Sequence, residues 1–148
     1  MPIKKENKGK YPKDWPTISL QARERAAWRC QHEGCTAQQY DVGMWMRSRS
    51  GPFWMAKAER VHEYAYARQL AAELHFRAYG DGPAPKGEPD IIVIVLTVAH
   101  LDHDPTNCAP DNLFVACQRH HLAYDQQHHI ETAYATRVAK RNNLELPL

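Results

Sequence analysis

The stretch from Thr97 to Asp125, TVAHLDHDPTNCAPDNLFVACQRHHLAYD, narrows what this chain can be more than any other. His100, His103, Asn112, Cys117, His120 and His121 all fall between positions 100 and 121, interleaved with Asp102, Asp104 and Asp111 and followed by Asp125. An ordinary core segment has no use for so many polar donors, since each costs free energy to bury unless it is paired or bound to a metal. The stretch reads as a metal site.

Its local structure follows from its pattern. Ile91 to Val98 is an unbroken apolar, mostly β-branched run, which predicts a buried strand with His100 at its exit. Asp102 to Asp111 is rich in Asp, Asn and Pro and predicts a loop. Asn112 to Ala116 can return as a second strand, and from Cys117 onward Leu122, Ile130, Ala133, Tyr134 and Val138 offer the apolar stripe of a helix. The frame is strand, loop, strand, helix.

The spacing on that frame carries chemistry. Cys117-x-x-His120 needs two further ligands to close a tetrahedral zinc site, and Cys30-x4-Cys35 can supply them. Gly34 permits the tight turn that lets Cys30 and Cys35 converge. His32 within that turn and Cys108 in the loop are competing donors, read respectively as an exposed bystander and a free thiol. His121 follows His120 directly, so on a helix it points about 100° away and is free for a second ion. Asp125 shares its helical face and can add a carboxylate ligand or orient the imidazole.

These residues resemble the HNH endonucleases, or ββα-metal nucleases, whose segment often runs V-H-H-I-D-G-x-x-x-N-N-x-P-x-N-L-x-x-L-C-x-x-C-H with a cysteine pair upstream. Here Val98 to His121 reads VAHLDHDPTNCAPDNLFVACQRHH, and the resemblance spans about 19–35 and 91–129. It implies His100 as general base, Asn112 as the central asparagine that orients the loop, and His121 as a ligand of a catalytic metal. His120 stands where a second zinc cysteine is usual, a change that zinc accepts. Ala99 stands where a metal-binding His or Asp is usual. Three alternatives follow: Asp102, His103 or Asp125 supplies the ligand, or His103 becomes the base behind Asp102, or the site does not cut.

The reaction implied is phosphodiester hydrolysis. A neutral histidine suits the general base, with an ordinary pKa near 6.5. A divalent ion, Mg2+ or Mn2+ with Ni2+ or Zn2+ as alternatives, suits the Lewis acid.

Composition adds limits. At 148 residues and 43% apolar content the chain suits one domain. A net charge of +2 does not by itself announce nucleic acid, so local charge must. No apolar run reaches membrane-spanning length and no signal peptide opens the chain, which predicts a cytoplasmic protein with reduced or metal-bound cysteines and no membrane partner.

Residues 1–14 hold five lysines and no apolar period, and are expected to form a flexible basic arm able to touch phosphates. Residues 15–148 are expected to form the domain. Ser19 is a candidate N-cap for a helix over Leu20 to Arg29 that leads into Cys30. The resemblance ends over about 40–90, where Gly51 to Ala78 predicts a long helix as an insertion and Tyr79 to Asp90 predicts a loop. Its aromatics, Trp45, Phe53 and Trp54 among them, suit core packing better than base stacking, and Arg47, Arg49 and Lys57 are candidate contacts to DNA or a partner. His129, Arg137, Lys140 and Arg141 are candidate phosphate contacts on the last helix.

The expected fold is therefore α+β: an HNH ββα-metal core with a zinc knuckle, an N-terminal helix and a helical insertion. The expected function is a metal-dependent DNA endonuclease of phage or bacterial type with a structural Zn2+, binding DNA through phosphate contacts. A protein partner or dimer is compatible with it. The second reading, from another class, is an inactive HNH-like zinc module that binds nucleic acid or a protein as inhibitor or adaptor.

Overall fold

The computed structural model describes residues 5–144. The fold is α+β, with helices α1 (Trp15–Arg25), α2 (Tyr64–Tyr79) and α3 (Gln118–Leu144), and strands β1 (Val42–Ser48), β2 (Gly51–Ala56), β3 (Ile92–Val93), β4 (Thr97–His100) and β5 (Leu113–Ala116). The strands form a three-stranded antiparallel sheet ordered β2-β1-β3 and a separate antiparallel pair β4-β5. No helix among the described residues is long and apolar enough to cross a membrane.

The apolar run from Ile91 to Val98 does not make one strand. Its first part pairs with β1, and its last part crosses to pair with β5, with Thr97 opposite Ala116 and His100 opposite Leu113. Backbone donors at the crossing find partners off the ladder: Ile94 N–H donates to Asp41 O at 2.8 Å, and Leu96 N–H to the Gln39 side-chain oxygen at 2.6 Å. Ile94 and Leu96 are almost fully buried, so this run belongs to the core while it changes sheets. Satisfying those buried amides makes the switch affordable.

The insertion differs from the long helix expected over Gly51–Ala78. It opens with the β1-β2 hairpin, in which Ser48 pairs with Gly51 around Arg49 and Ser50, and the helix starts only at Tyr64. The start of β1, Val42 to Met44, and Trp54 of β2 are buried, and this tertiary packing overrides any helical preference of the segment before Tyr64. Gly43 is required where it stands, because a Cβ there would lie 2.1 Å from Met55 O. The aromatics divide: Trp54 is buried and Trp45 packs against the core, whereas Phe53, Tyr64, Tyr66 and Phe76 are exposed.

Helix α1 begins at Trp15, ahead of the expected cap. Ser19 is interior and buried, and its hydroxyl donates to Pro16 O at 3.1 Å. Pro16 in the first turn needs no N–H partner, which explains the earlier start. Residues 5–10 of the expected arm form a short 3-10 helix, and residues 1–4 lie outside the described part.

Two cores result. One joins Ala22, Ala37, Trp54, Ile94, Leu96, Leu113 and Val115 around Cys30 and Cys117. The other packs Ala67 and Ala71 of α2 on Val42.

Candidate metal centre and the histidine face beside it

Cys30, Cys35, Cys117 and His120 converge, with one ligand atom from each lying within 4.8 Å of all the others. The knuckle is set by a turn in which Cys35 N–H donates to His32 O, with Gly34 at φ +76°. Gln31 then locks it to β5, its backbone N–H donating to Val115 O and its side-chain oxygen accepting from Val115 N–H, both at 2.8 Å. Cys117 directly follows β5 and His120 lies in the first turn of α3, so the end of the strand and the start of the helix bring their two ligands to the knuckle.

His120 Nδ1 is 3.2 Å from Cys117 Sγ and 3.5 Å from Cys30 Sγ. Cys30 and Cys117 are buried. Protein side chains alone give these thiols unequal proton affinity: a hydrogen bond from Cys117 holds the Cys30 thiol far below its ordinary range, and that same pairing drives Cys117 upward. Three sulfurs and an imidazole crowded together, with two of the thiols buried, are a donor set that could hold a metal such as zinc in place of the shared protons. His32 does not join the set; its ring stacks on His120 with centroids 3.8 Å apart. Cys108, the alternative zinc donor, is also elsewhere, beside His100.

His121 turns away from this cluster. Its Nδ1 meets Thr97 Oγ1 at 2.9 Å, and its Nε2 lies 3.1 Å from Asp125 Oδ2. The other carboxylate oxygen of Asp125 is 3.5 Å from His103 Nδ1. These three residues, from helix and loop, make a second cluster, looser than the cysteine site and without its mutual convergence within 4.8 Å. Burial pushes the His121 pKa down, against the pull of Asp125.

His100 is 7% exposed. Trp15 stacks on it with centroids 4.9 Å apart, Tyr11 meets it edge-on at 5.8 Å, and its Nε2 is 3.6 Å from Cys108 Sγ. Burial lowers its pKa while Asp102 and Asp104 pull the other way, so the ring is neutral near pH 7. Burial raises the Tyr11 pKa, and the charges of Asp125 and Cys108 add to it.

Asn112 braces the loop. Its side-chain NH2 donates to Asp102 Oδ1 at 2.9 Å and to Asn107 O at 2.8 Å, and its oxygen accepts from Asp102 N–H at 3.2 Å. Hydrogen bonds from Asn112 and Asn107 hold the Asp102 carboxyl at about 2. Asp102 therefore caps its own loop, engaged with Asn107 and Asp104 N–H. Ala99 is buried, opposite Phe114 on β5.

Sequence reasoning missed five contributors: Tyr11 and Trp15 over His100, Thr97 behind His121, and the pair Tyr124 and His128. The four-residue spacing of that pair on α3 was the available signal. No protein-family model, curated protein or solved structure matches the chain.

Proposed function

We propose that the protein is a metal-dependent endonuclease of the HNH type that hydrolyses phosphodiester bonds in DNA, with zinc in the cluster of Cys30, Cys35, Cys117 and His120. The observation that carries this reading is the division of labour between His120 and His121. The first turns to three thiols at the base of α3, and the second turns to a carboxylate and to the mouth of the β4-β5 loop. A structural centre thus holds the helix that presents a second, polar centre.

On that face His100 is the neutral base that takes a proton from water, and Asn112 keeps its loop in place. A divalent ion bound by His121 and Asp125 would supply positive charge to the phosphate and to the leaving 3′ oxygen. Exposed Lys8, Lys10 and Lys13 flank Tyr11, so the basic segment approaches the site from the His100 side and offers phosphate contacts.

The test is supercoiled plasmid incubated with zinc-loaded protein and added Mg2+, Mn2+, Co2+ or Ni2+. Nicking that needs the added ion and disappears in His121→Ala supports the reading; intact plasmid under every ion refutes it. The second reading, a zinc module that binds without cutting, draws on the buried Ala99 and on the aromatic cover over His100. DNA or protein binding without any nicking is its signature.

A further inference from the structure

We infer that the face of α3 turned away from His121 is a docking groove for an acidic amphipathic helix of a partner protein. The inference goes beyond the nuclease reading and does not depend on it. The groove lies on the His120 side of the helix, whereas the proposed phosphodiester chemistry sits on the His121 side.

The groove, about 1110 Å³ in volume, runs between α3 and the β2-β1-β3 sheet. Leu122, Ile130 and Ala133 of α3 form one wall, and Trp45, Pro52 and Ile92 of the three strands form the other. At 3.6 residues per turn those α3 positions share one stripe, which runs for about three turns, or ~16 Å. Leu122 and Ile130 are 49% and 54% exposed, so the stripe presents its aliphatic surface to solvent.

Its charge is of one sign. Arg119, His129 and Arg137 line the groove, and among the described residues no Asp or Glu does. Lys140 and Arg141 continue the same face: with Arg119 and Arg137 they fall inside the arc of about 100° that holds Leu122, Ile130 and Ala133. The two acidic residues of α3 fall outside it. Asp125 faces His121 and His103, and Glu131 accepts from Gln127 Nε2 at 2.8 Å. Arg47 adds to the opposite rim, since it pairs with Pro52 across the hairpin and leaves the sheet on the same face. Arg119 is held in place by Trp45, its guanidinium 5.2 Å from the ring centroid.

An aliphatic floor between cationic rims selects its occupant. An amphipathic helix with acidic flanks sets apolar anchors at i, i+3 or i+4 and i+7 against Leu122, Ile130 and Ile92, and its carboxylates against the arginines. A phosphate backbone would meet the cations but leave that aliphatic surface in water. A second copy of this chain would set two surfaces of the same positive sign against each other.

The experiment is an NMR titration of the isotope-labelled, zinc-loaded full chain with a synthetic amphipathic helix of about four turns, leucine along one face and glutamate beside it. The Trp45 indole N–H and the amides of α3 around Ile130 are expected to shift, with a Kd below about 1 mM that weakens as salt rises. Arg137→Glu combined with Arg141→Glu, and separately Ile130→Ser, are each expected to weaken binding at least about tenfold. All three positions are exposed, and zinc content with thermal melts verifies that each variant keeps its fold. No shift, or equal binding of the same peptide with lysine in place of glutamate, overturns the inference. So does a short single- or double-stranded DNA that displaces the peptide from these amides, and so does a wild-type dimer in sedimentation that Ile130→Ser dissolves. The assay involves no cleavage, so failure of the nuclease reading leaves its outcome standing.

Discussion

Trp15 lies stacked on His100, with ring centroids 4.9 Å apart and planes inclined by 26°. The first residue of α1 therefore covers the last residue of β4, and the burial it contributes keeps the imidazole neutral.

Replacing Trp15 with Ala is expected to raise the His100 pKa toward the ordinary value of about 6.5. The sign for stability follows: with a depressed folded-state pKa, the unfolded chain binds a proton that the folded chain does not, so stability falls as pH drops below about 6.5. Trp15→Ala should flatten that dependence. NMR titration of the His100 ring, beside denaturation across pH 5 to 8, reads both effects.

Chelating the cysteine-site metal should remove the cooperative unfolding transition, because Cys30, Cys35, Cys117 and His120 tie the knuckle, β5 and α3 together. Cys117→Ser should lose the metal, whereas His120→Cys should keep it, since zinc accepts either donor. Metal content by mass spectrometry with thermal melts would show an error if Cys117→Ser retained both metal and melting temperature.

Asn112→Ala removes the contacts that join the two ends of the loop. The Asp102 carboxyl should then titrate well above about 2, toward the ordinary value of about 3.9. Carboxyl-carbon NMR of the variant measures this directly, and an unmoved Asp102 would mean that Asn107 and the backbone hold the loop alone.

Gly43→Ala should destabilise the domain by about 1–3 kcal/mol, because the new methyl group meets the Met55 carbonyl and the Trp54 ring in a packed hairpin. Gly82→Ala, which meets nothing within 4 Å, is the control and should change stability by less than about 0.5 kcal/mol. Urea denaturation compares the two.

The cysteine cluster was legible in the sequence because its spacing fixes its geometry: a turn at Gly34 and one helical turn from Cys117 to His120 leave little freedom. The strand-loop-strand-helix frame was legible for a similar reason, each change of residue pattern falling at a change of structure. The hairpin β1-β2 was not, since its strands show no alternating burial and the Ala-rich segment after it carries a helical period. The cover on His100 was also hidden. Tyr11 and Trp15 reach it through tertiary packing across some ninety positions of chain, and a lysine-rich segment gives no sign of an aromatic that will fold back. His103 was visible as a candidate, but its tie to Asp125 depends on a left-handed backbone and on stacking from the next helix.

The most direct test of the nuclease account is the single-turnover rate of plasmid nicking by wild type and His100→Ala, each loaded with zinc and saturated with the second ion. The account predicts nicking by wild type and a fall of about 10²–10⁴-fold in the variant with metal content unchanged. Equal rates in the two proteins, or no nicking by wild type, would contradict it.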